Sequence, residues 1–547
     1  MKLLVLVTVS ATALVTMASP SITVAAPAPG PAPVGPSAGP HRHSSVRTPL
    51  AAPHGPRAAT GFRPFTTECS VSGGGPNLNL DCDDRVMANN EPHMAVDPAD
   101  PKHLVASSND FESPLPPDQF YTSFDGGRNW KTGNVSGEDV PYFGSDPSTS
   151  FDVRHKRVLH ASMNFRNTAN GRDDADVVVS PSSDGGRTWQ APVIVYGGQG
   201  NADSPTQVIN DKPWIVTDNN PSSRWYGRTY VTWSRFLFLN DDYAESPIWM
   251  AFSDDGGRDW SSAKEISGSD RTCSFQETGA ATECDQDQGS VPVVGPDGTL
   301  SVAFQNEQHE AAWEQGEQFD TQYLVVRSRD GGRTFSTPTS VIDLEDGDRD
   351  YPTNVNGDAT LTDFQARLNS LGNIGVNPKT GELGLVFSDN RAGQHDVANP
   401  VTNTNVYLMT STNGRDWRGP HRVASGPEDQ WFPWLDVNPR TGKFGVLFHQ
   451  EDSRRARYLT RLATGTPASG FSTTTVSTEA SNSFDSVFRP AGAAAGECAK
   501  CTTFFGDYIS LDYGSDGTAH MVWTDMRREV TVGGVSGHTE NIFYARR

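Results

Sequence analysis

Basic residues are scarce in this chain of 547 residues. Lys and Arg number 44 against 66 Asp and Glu, which leaves a formal net charge of −22. A surface of that sign repels phosphate backbones and anionic lipids. We therefore expect neither a nucleic acid nor a membrane surface as a partner.

Long apolar runs are also missing, except near the first residue. Lys2 precedes the run LLVLVTVSATALVTMA, and small residues follow up to Ala26. This order is typical of a secretory signal peptide, which we assign to residues 1–26. Residues 27–60 are rich in Pro, Ala and Gly without apolar periodicity, which predicts a disordered linker. The remainder, 61–547, is expected to form a secreted, soluble and monomeric domain.

Cysteine is rare as well, with six residues that fall into three pairs close in sequence. In an exported chain this spacing predicts three local disulfides: Cys69–Cys82, Cys273–Cys284 and Cys498–Cys501. The last pair also fits a redox CxxC motif, but no βαβ pattern surrounds it. Since no further Cys or His stands at ligand spacing, we do not predict zinc at these cysteines.

The sequence lacks a phosphate-binding glycine loop and an HExxH motif. It contains instead an octapeptide that recurs, here called the DGG turn. The full copies are SFDGGRNW (123–130), SSDGGRTW (182–189), SDDGGRDW (253–260) and SRDGGRTF (328–335). In a fifth copy, TSTNGRDW (410–417), we place Thr412 at the Asp position. Copies in this number indicate an internal repeat.

A second repeat, out of phase with the first, consists of two short apolar strands around a turn rich in Asp, Asn, Pro and Gly. Its copies span residues 93–110, 149–165, 213–235, 290–307, 373–391, 434–452 and 508–527. The first six hairpins are each followed by a third and a fourth strand, and four DGG turns join such strands. The pattern predicts an all-β fold, a seven-bladed β-propeller of four-stranded antiparallel blades. A six-bladed ring is the alternative, if one hairpin is an insertion.

The last repeat has only three strands, which end at residues 541–547. A propeller closes its ring when one end of the chain supplies the strand that the other end lacks. The segment NLNLDCD (77–83) precedes the first repeat, and we expect it to be that closing strand.

The DGG turns are predicted to be structural. An Asp carboxylate can accept backbone N–H bonds, Gly adopts positive φ, and Ser helps to close the turn. The aromatic residue is large enough to pack on a neighbouring blade. The residues concerned are Asp125, Asp184, Asp255 and Asp330, with Trp130, Trp189 and Trp260.

The S-x-D-x-G-x-x-W pattern resembles the Asp boxes, or BNR repeats, of sialidase-like β-propellers, over roughly residues 85–547. The resemblance implies a glycosidase with arginines on a substrate carboxylate, a Tyr nucleophile assisted by a Glu, and an Asp acid/base. The segment Tyr508-Ile-Ser-Leu is similar to the Tyr-bearing strand of the family. The segment 287–306 is similar to its Glu-bearing strand, with Gln288 or Gly289 at the Glu position.

Residues before each inner strand and after each second strand converge on one axial mouth in a propeller. There we predict Tyr508 as nucleophile, Glu307 as the base that takes its proton, and Asp507 as acid/base. Forked hydrogen bonds from arginines would hold an acidic sugar. The predicted substrate-binding residues are Arg391, Arg527, Asp211, Asp287 and Trp431.

No cofactor is expected, although the acidic run 343–350 could hold a structural Ca²⁺ through carboxylate oxygens. Two functions follow from the sequence. The first is a secreted sialidase-like exo-glycosidase that acts on an extracellular glycan or glycoconjugate. The alternative is a non-catalytic propeller that binds a glycan or a protein at the same mouth.

Overall fold

The computed structural model describes most of the chain beyond residue 68. The described ranges are 69–72, 75–81, 88–111, 118–135, 142–168, 171–200, 204–240, 242–274, 281–309, 321–347, 349–355, 357–396, 398–452, 457–487, 502, 504–532 and 535–547. Strands and connections account for all of these residues, so the predicted all-β class is confirmed. None of the described segments forms a helix with the length and apolarity that a bilayer crossing needs.

The strands form antiparallel meanders, numbered here in chain order. Two short strands come first, β1 (Cys69–Ser72) and β2 (Leu78–Asn79). Meander 1 contains β3 (Asn89–Val96), β4 (Leu104–Asp110), β5 (Gln119–Ser123) and β6 (Asn129–Asn134), with β1 beside β6. Meander 2 contains β7 (Tyr142–Asp152), β8 (Arg157–Thr168), β9 (Gly171–Ser182) and β10 (Val193–Tyr196).

Meander 3 contains β11 (Thr206–Thr217), β12 (Thr229–Leu239), β14 (Ile248–Ser253) and β15 (Lys264–Glu265), with β13 (Asp242–Glu245) beside β12. A single parallel bridge, Ile209 to Ala175, joins it to meander 2. Meander 4 contains β16 (Asp287–Val294), β17 (Leu300–Asn306), β18 (Gln322–Ser328) and β19 (Thr339–Asp343).

Meander 5 contains β20 (Asn373–Val376), β21 (Leu383–Asp389), β22 (Asn405–Ser411) and β23 (Arg418–Ala424). Meander 6 contains β24 (Gln430–Val437), β25 (Phe444–Glu451), β26 (Arg457–Thr466) and β27 (Gly470–Thr475), with β28 (Ser481–Asn482) beside β26. Meander 7 contains β29 (Ser510–Tyr513), β30 (Ala519–Val532) and β31 (Val535–Arg546). Each of the repeated hairpins in the sequence is the first strand pair of one meander.

The strand β2 supplies the fourth strand of meander 7. Leu78 pairs with Tyr544 and Asn79 with Phe543, in antiparallel register. The expected pairing of the segment 77–83 with the last repeat is therefore present. Beyond the strand, the Asp81 carboxylate accepts a hydrogen bond from the backbone N–H of Ile542 at 2.6 Å.

The first strands of the meanders contact one another in cyclic order: β3, β7, β11, β16, β20, β24, β29 and again β3. The apolar cores lie between neighbouring sheets. One such core packs Phe120 of meander 1 against Phe151, Val158 and Trp189 of meander 2. Sheets that face each other around a ring in this way are the arrangement expected of a β-propeller.

The DGG turns join the third and fourth strands of meanders 1 to 4. In the first, Asp125 Oδ1 accepts the N–H groups of Arg128 at 3.0 Å and Asn129 at 2.9 Å. Ser123 Oγ accepts the N–H of Gly127 at 2.9 Å. The carboxylates of Asp184, Asp255 and Asp330 accept the same pair of backbone bonds.

The aromatic residues of these turns reach the preceding meander. Trp130 lies edge-on against Tyr544 of meander 7, with ring centroids 4.9 Å apart. Trp189 contacts Phe120 of meander 1 in the same manner at 5.9 Å. Trp260 is half-buried against the core between meanders 2 and 3.

The fifth copy differs from the sequence prediction. The Asp position is occupied by Asn413 and not by Thr412, since Asn413 Oδ1 accepts the N–H groups of Arg415 and Asp416, both at 2.9 Å. One glycine is missing from this copy, which shortens the turn and shifts its register by one residue.

Cys273 and Cys284 form a disulfide with an S–S distance of 2.05 Å, as predicted. The predicted pairs Cys69–Cys82 and Cys498–Cys501 lie outside the described side chains, as do the predicted signal peptide and linker.

Candidate active site

A bulge recurs near the start of most first strands and forms the rim of the axial mouth. At each bulge one residue has positive φ, which is uncommon for residues other than Gly. These residues are Glu91 (φ 55°), Asp146 (55°), Lys212 (50°), Gly289 (65°) and Phe432 (48°). Strained backbone is costly and concentrates at functional sites, so these bulges indicate a candidate functional site at the mouth.

Three of the bulge residues belong to a buried charged cluster at the mouth. The Glu91 carboxylate accepts the N–H of Asp507 at 3.0 Å and the Asn109 amide at 2.6 Å. Asn109 Oδ1 in turn accepts the N–H of Asp146 at 2.9 Å. Burial, followed by the charges of Asp146 and Asp507, raises the pKa of Glu91 well above its usual value. This carboxyl therefore holds a proton more readily than an ordinary Glu.

Two cations balance part of this charge. Arg367 Nη2 lies 2.5 Å from Asp507 Oδ2, and the Asn369 amide donates to Asp507 Oδ1 at 2.9 Å. Burial alone would lower the pKa of Arg367, but Asp507 and Asp358 raise it above its usual value, so the guanidinium stays positively charged. Burial lowers the pKa of the second cation, Lys212.

Tyr508 lies in the axial channel below this cluster. Lys212 Nζ stands 3.7 Å from the centre of its ring, and the Trp214 ring centroid is 5.2 Å away. The Tyr508 hydroxyl donates to the carbonyl of Pro147 at 3.4 Å. Burial, then the charges of Glu91 and Asp146, raises the pKa of Tyr508 well above its usual value. A phenol held in this way is poorly prepared to act as a nucleophile.

The connection between β19 and β20 lies over the mouth. It contributes Tyr351, Phe364 and Leu368 to an apolar cluster that also contains Trp431 and Tyr458 of meander 6. The Trp431 side chain is fully buried, with the Phe364 ring edge-on at 5.5 Å. In this structure Trp431 is thus a packing residue rather than a surface for stacking a sugar.

A cavity opens between this connection and meander 4. The residues that line it include Glu307, Asp346, Asp358 and Arg367. Arg367 Nε and Nη1 are buried and have no hydrogen-bond partner among the described residues, although Nη2 is held by Asp507. Burial raises the pKa of Asp358. The lining of the cavity therefore combines several carboxyl groups with one guanidinium group.

The predicted site residues are only partly brought together. Glu307 lines the cavity, and Asp507 joins it through Arg367. Arg391 is held by Asp389, with Nη2 to Oδ2 at 2.5 Å, and also donates to the carbonyl of Asp343.

Arg527 is likewise held by Asp525 and donates to Thr478 and Asn77. These contacts hold Arg391 and Arg527 at the ends of their own strands rather than on the Asp507 cluster.

The two other predicted binding residues lie on the first strands. Asp211 is half-buried, and burial followed by the charge of Asp146 raises its pKa well above the usual value. Asp287 is fully buried and accepts a hydrogen bond from the Asn306 amide at 2.7 Å. Asp287 therefore belongs to the packing of meander 4.

Sequence reasoning missed Lys212 and Arg367. A signal for Lys212 was available, because the bulges carry a residue followed by proline in EPHMAV, DPSTSF, KPWIVT and FPWLDV. Arg367 lies in the connection 344–372, which matches neither repeat and gave no signal.

The acidic run 343–350, which by its sequence could hold a structural Ca²⁺, places Glu345 and Asp350 next to His395. Among the described residues, these three form the group whose possible ligand atoms lie close enough together to bind one metal ion.

No protein-family model matches the chain, and no curated protein matches it either. Among solved structures, the chain is similar to a Hadza microbial sialidase (15% identity, TM-score 0.40). That match covers 68% of this chain and 65% of the sialidase, just under two thirds of its length.

It is also similar to the leech intramolecular trans-sialidase, at 12% identity and TM-score 0.40 over 73% of this chain and 69% of that one. A third similar structure is the GH93 alpha-L-arabinofuranosidase of Fusarium graminearum, at 14% identity and TM-score 0.41. Here the match covers 68% of this chain and 93% of the other. All three neighbours are glycoside hydrolases.

Proposed function

We propose that the chain is a secreted glycoside hydrolase built on a seven-bladed β-propeller. Its substrate is an extracellular glycan that carries an acidic sugar, bound at the axial mouth. The cyclic contacts of the first strands support the blade number. The Cys273–Cys284 disulfide is consistent with an oxidising, extracellular setting.

The observation that carries this proposal is the position of Arg367. Arg367 lines a cavity whose other walls carry carboxyl groups, and its buried Nε and Nη1 have no hydrogen-bond partner among the described residues. A guanidinium donates to carboxylate and hydroxyl oxygens, and such charged hydrogen bonds are strongest where water is excluded. Asp507 holds Nη2 of Arg367, and Asn369 in turn holds Asp507. Arg367 is therefore already positioned before a sugar binds.

Hydrolysis of a glycoside needs one carboxyl group that carries a proton and one that is ionised. Asp358 is suited to the first role because burial raises its pKa. Glu307 lies in the same cavity and takes the second role, as nucleophile or as the base that activates water. This gives Glu307 the role predicted for Tyr508, because the Tyr508 hydroxyl faces Pro147 in the channel.

The test is a panel of arylglycosides and natural glycans, with and without carboxylates, followed by variants assayed on the best substrate. We expect Glu307→Gln to lower kcat by about 10²- to 10⁴-fold. Arg367→Lys should raise KM for carboxylate-bearing substrates more than for neutral ones. Arg422→Lys, on the exposed strand β23, is the matched control. If Tyr508→Phe abolishes turnover and Glu307→Gln does not, Tyr508 is the nucleophile and this assignment is wrong.

The second candidate is a propeller that binds a glycan without cleaving it. It is favoured by the packing of Phe364 and Trp431, which covers part of the mouth. In that case no substrate of the panel is hydrolysed, a glycan binds in calorimetry, and Arg367→Ala abolishes the binding.

A further inference from the structure

A group of three side chains lies outside the proposed active site, where two loops meet. Glu345 and Asp350 are on the connection after β19, and His395 is on the loop after β21. One ligand atom from each residue lies within 4.8 Å of the other two. The Asp350 side chain is fully buried, while those of His395 and Glu345 are 24% and 37% exposed. The group is therefore fixed on one side and open to solvent on the other.

Of the two separations from His395 Nδ1, one is a direct hydrogen bond and the other is longer than a hydrogen bond. His395 Nδ1 contacts Asp350 Oδ1. The same nitrogen lies 3.9 Å from Glu345 Oε2, which is too long for a hydrogen bond. Two ligands of a tetrahedral zinc, each about 2.0–2.1 Å from the metal, stand roughly 3.3 Å apart. An ion bound between the three side chains requires the Glu345 oxygen to move closer and the hydrogen bond between His395 and Asp350 to open.

The backbone around the group is held independently of any ion. Asn390 donates from its amide to the carbonyl of Asp350 at 2.5 Å and from its backbone N–H to the carbonyl of Glu345 at 3.1 Å. The N–H of Gly347 donates to Asp350 Oδ2 at 2.7 Å, which leaves Oδ1 directed at His395. Ligands held in this way lose little conformational freedom when a metal binds.

We propose that Glu345, Asp350 and His395 form a zinc site with an open fourth position for water. The imidazole decides the class of metal, because Ca²⁺ takes six to eight oxygen ligands whereas Zn²⁺ binds nitrogen and carboxylate oxygen at four positions. The ion would tie the connection 344–350 to the loop 390–396. Asp346 lies within that connection and Tyr351 directly follows it. Both line the cavity, so zinc would stabilise one wall of the mouth. The site does not depend on the proposed hydrolysis.

The experiment uses the full chain, stripped with a chelator and dialysed against metal-free buffer. Titration calorimetry with ZnCl₂, elemental analysis after dialysis and thermal melts follow. We expect one bound zinc per chain and a higher melting temperature. When Co²⁺ replaces zinc, we expect visible absorption bands typical of cobalt with a nitrogen ligand.

His395→Ala and Glu345→Gln are the test variants, and His421→Ala on strand β23 is the control. The test variants should melt like the metal-free protein and bind zinc more than about 100-fold more weakly. The control should bind as the unaltered chain does. The proposal is overturned if no zinc is retained, if His395→Ala leaves zinc affinity unchanged, or if only Ca²⁺ raises the melting temperature.

Discussion

Asp436 and Asp512 show how burial acts on single residues of this protein. They lie near the end of the axial channel opposite the mouth, on β24 and β29. Asp436 Oδ2 accepts the N–H of Tyr513 at 2.7 Å, and Asp512 Oδ2 accepts the N–H of Val96 at 2.6 Å. Burial raises the pKa of Asp436 to about 6, and burial together with Asp436 raises that of Asp512 well above its usual value. We therefore infer that the two carboxyl groups hold one proton between them at moderately acidic pH.

This pair predicts a pH dependence of stability. The folded state binds the proton more tightly than the unfolded state does. The stabilisation that this proton gives to the fold is therefore fully present below the ordinary Asp pKa. It is lost as the pH rises through about 6. In Asp436→Asn an amide replaces the shared proton at every pH. We expect the melting temperature of this variant, relative to the unaltered chain, to rise between pH 5 and pH 8.

Asp259→Asn, on an exposed turn, is the control and should show a constant difference across this range. A constant difference for Asp436→Asn as well would contradict a shared proton.

At the scale of elements, the DGG turn does two things at once. Its Asp and Ser satisfy the backbone of the turn, and its second glycine permits close approach of the preceding sheet. Gly127 has φ of 80°, and a Cβ atom placed there would overlap the Tyr544 ring of meander 7. Gly470, in the turn between β26 and β27, has φ of 72° and open space around it.

These two glycines separate backbone strain from packing. We expect Gly470→Ala to lower the free energy of unfolding by about 1–2 kcal/mol, the cost of left-handed backbone for Ala. Gly127→Ala should lose a further ~1–3 kcal/mol, because Tyr544 must move. Urea unfolding of both variants measures the difference. Equal losses would show that the contact with Tyr544 carries no packing energy.

At the scale of the whole molecule, one short segment holds the first and last meanders together. Leu80 is fully buried and donates its N–H to the carbonyl of Ile542 at 2.8 Å. Asp81 accepts bonds from Tyr121 at 2.5 Å and from Ile542 at 2.6 Å, so it contacts both meander 1 and meander 7. Without this segment, β31 becomes an exposed edge strand.

We therefore expect a chain that begins at residue 83 to melt at a lower temperature and to aggregate. A chain that begins at residue 61 keeps the segment and lacks only the predicted leader and linker, so it should melt like the full chain. Differential scanning calorimetry and light scattering compare the two. Equal melting temperatures would show that the pairing of Leu78 and Asn79 does not stabilise the ring.

The features that could be predicted from the sequence are those specified by residues close together along the chain. Turn residues and alternating apolar residues are local signals, so the all-β class, the hairpins, the bonds of Asp125 and the disulfide Cys273–Cys284 could all be predicted. The closing strand could be predicted too, because meander 7 visibly lacked its fourth strand. The register of the fifth DGG turn could not, since Thr412 and Asn413 are adjacent and both can accept a hydrogen bond.

The mouth was decided by tertiary structure. Arg367 comes from a connection without a repeat, and only the folded chain brings it onto Asp507, 140 residues away in sequence. Tyr508 is a second example. Its position in the sequence suggested a nucleophile, but in the folded chain its hydroxyl is enclosed in the channel and donates to Pro147. Sequence patterns report which face of a strand a residue occupies. They do not report what another loop places against it, and that contact sets the burial, charge and reactivity of these groups.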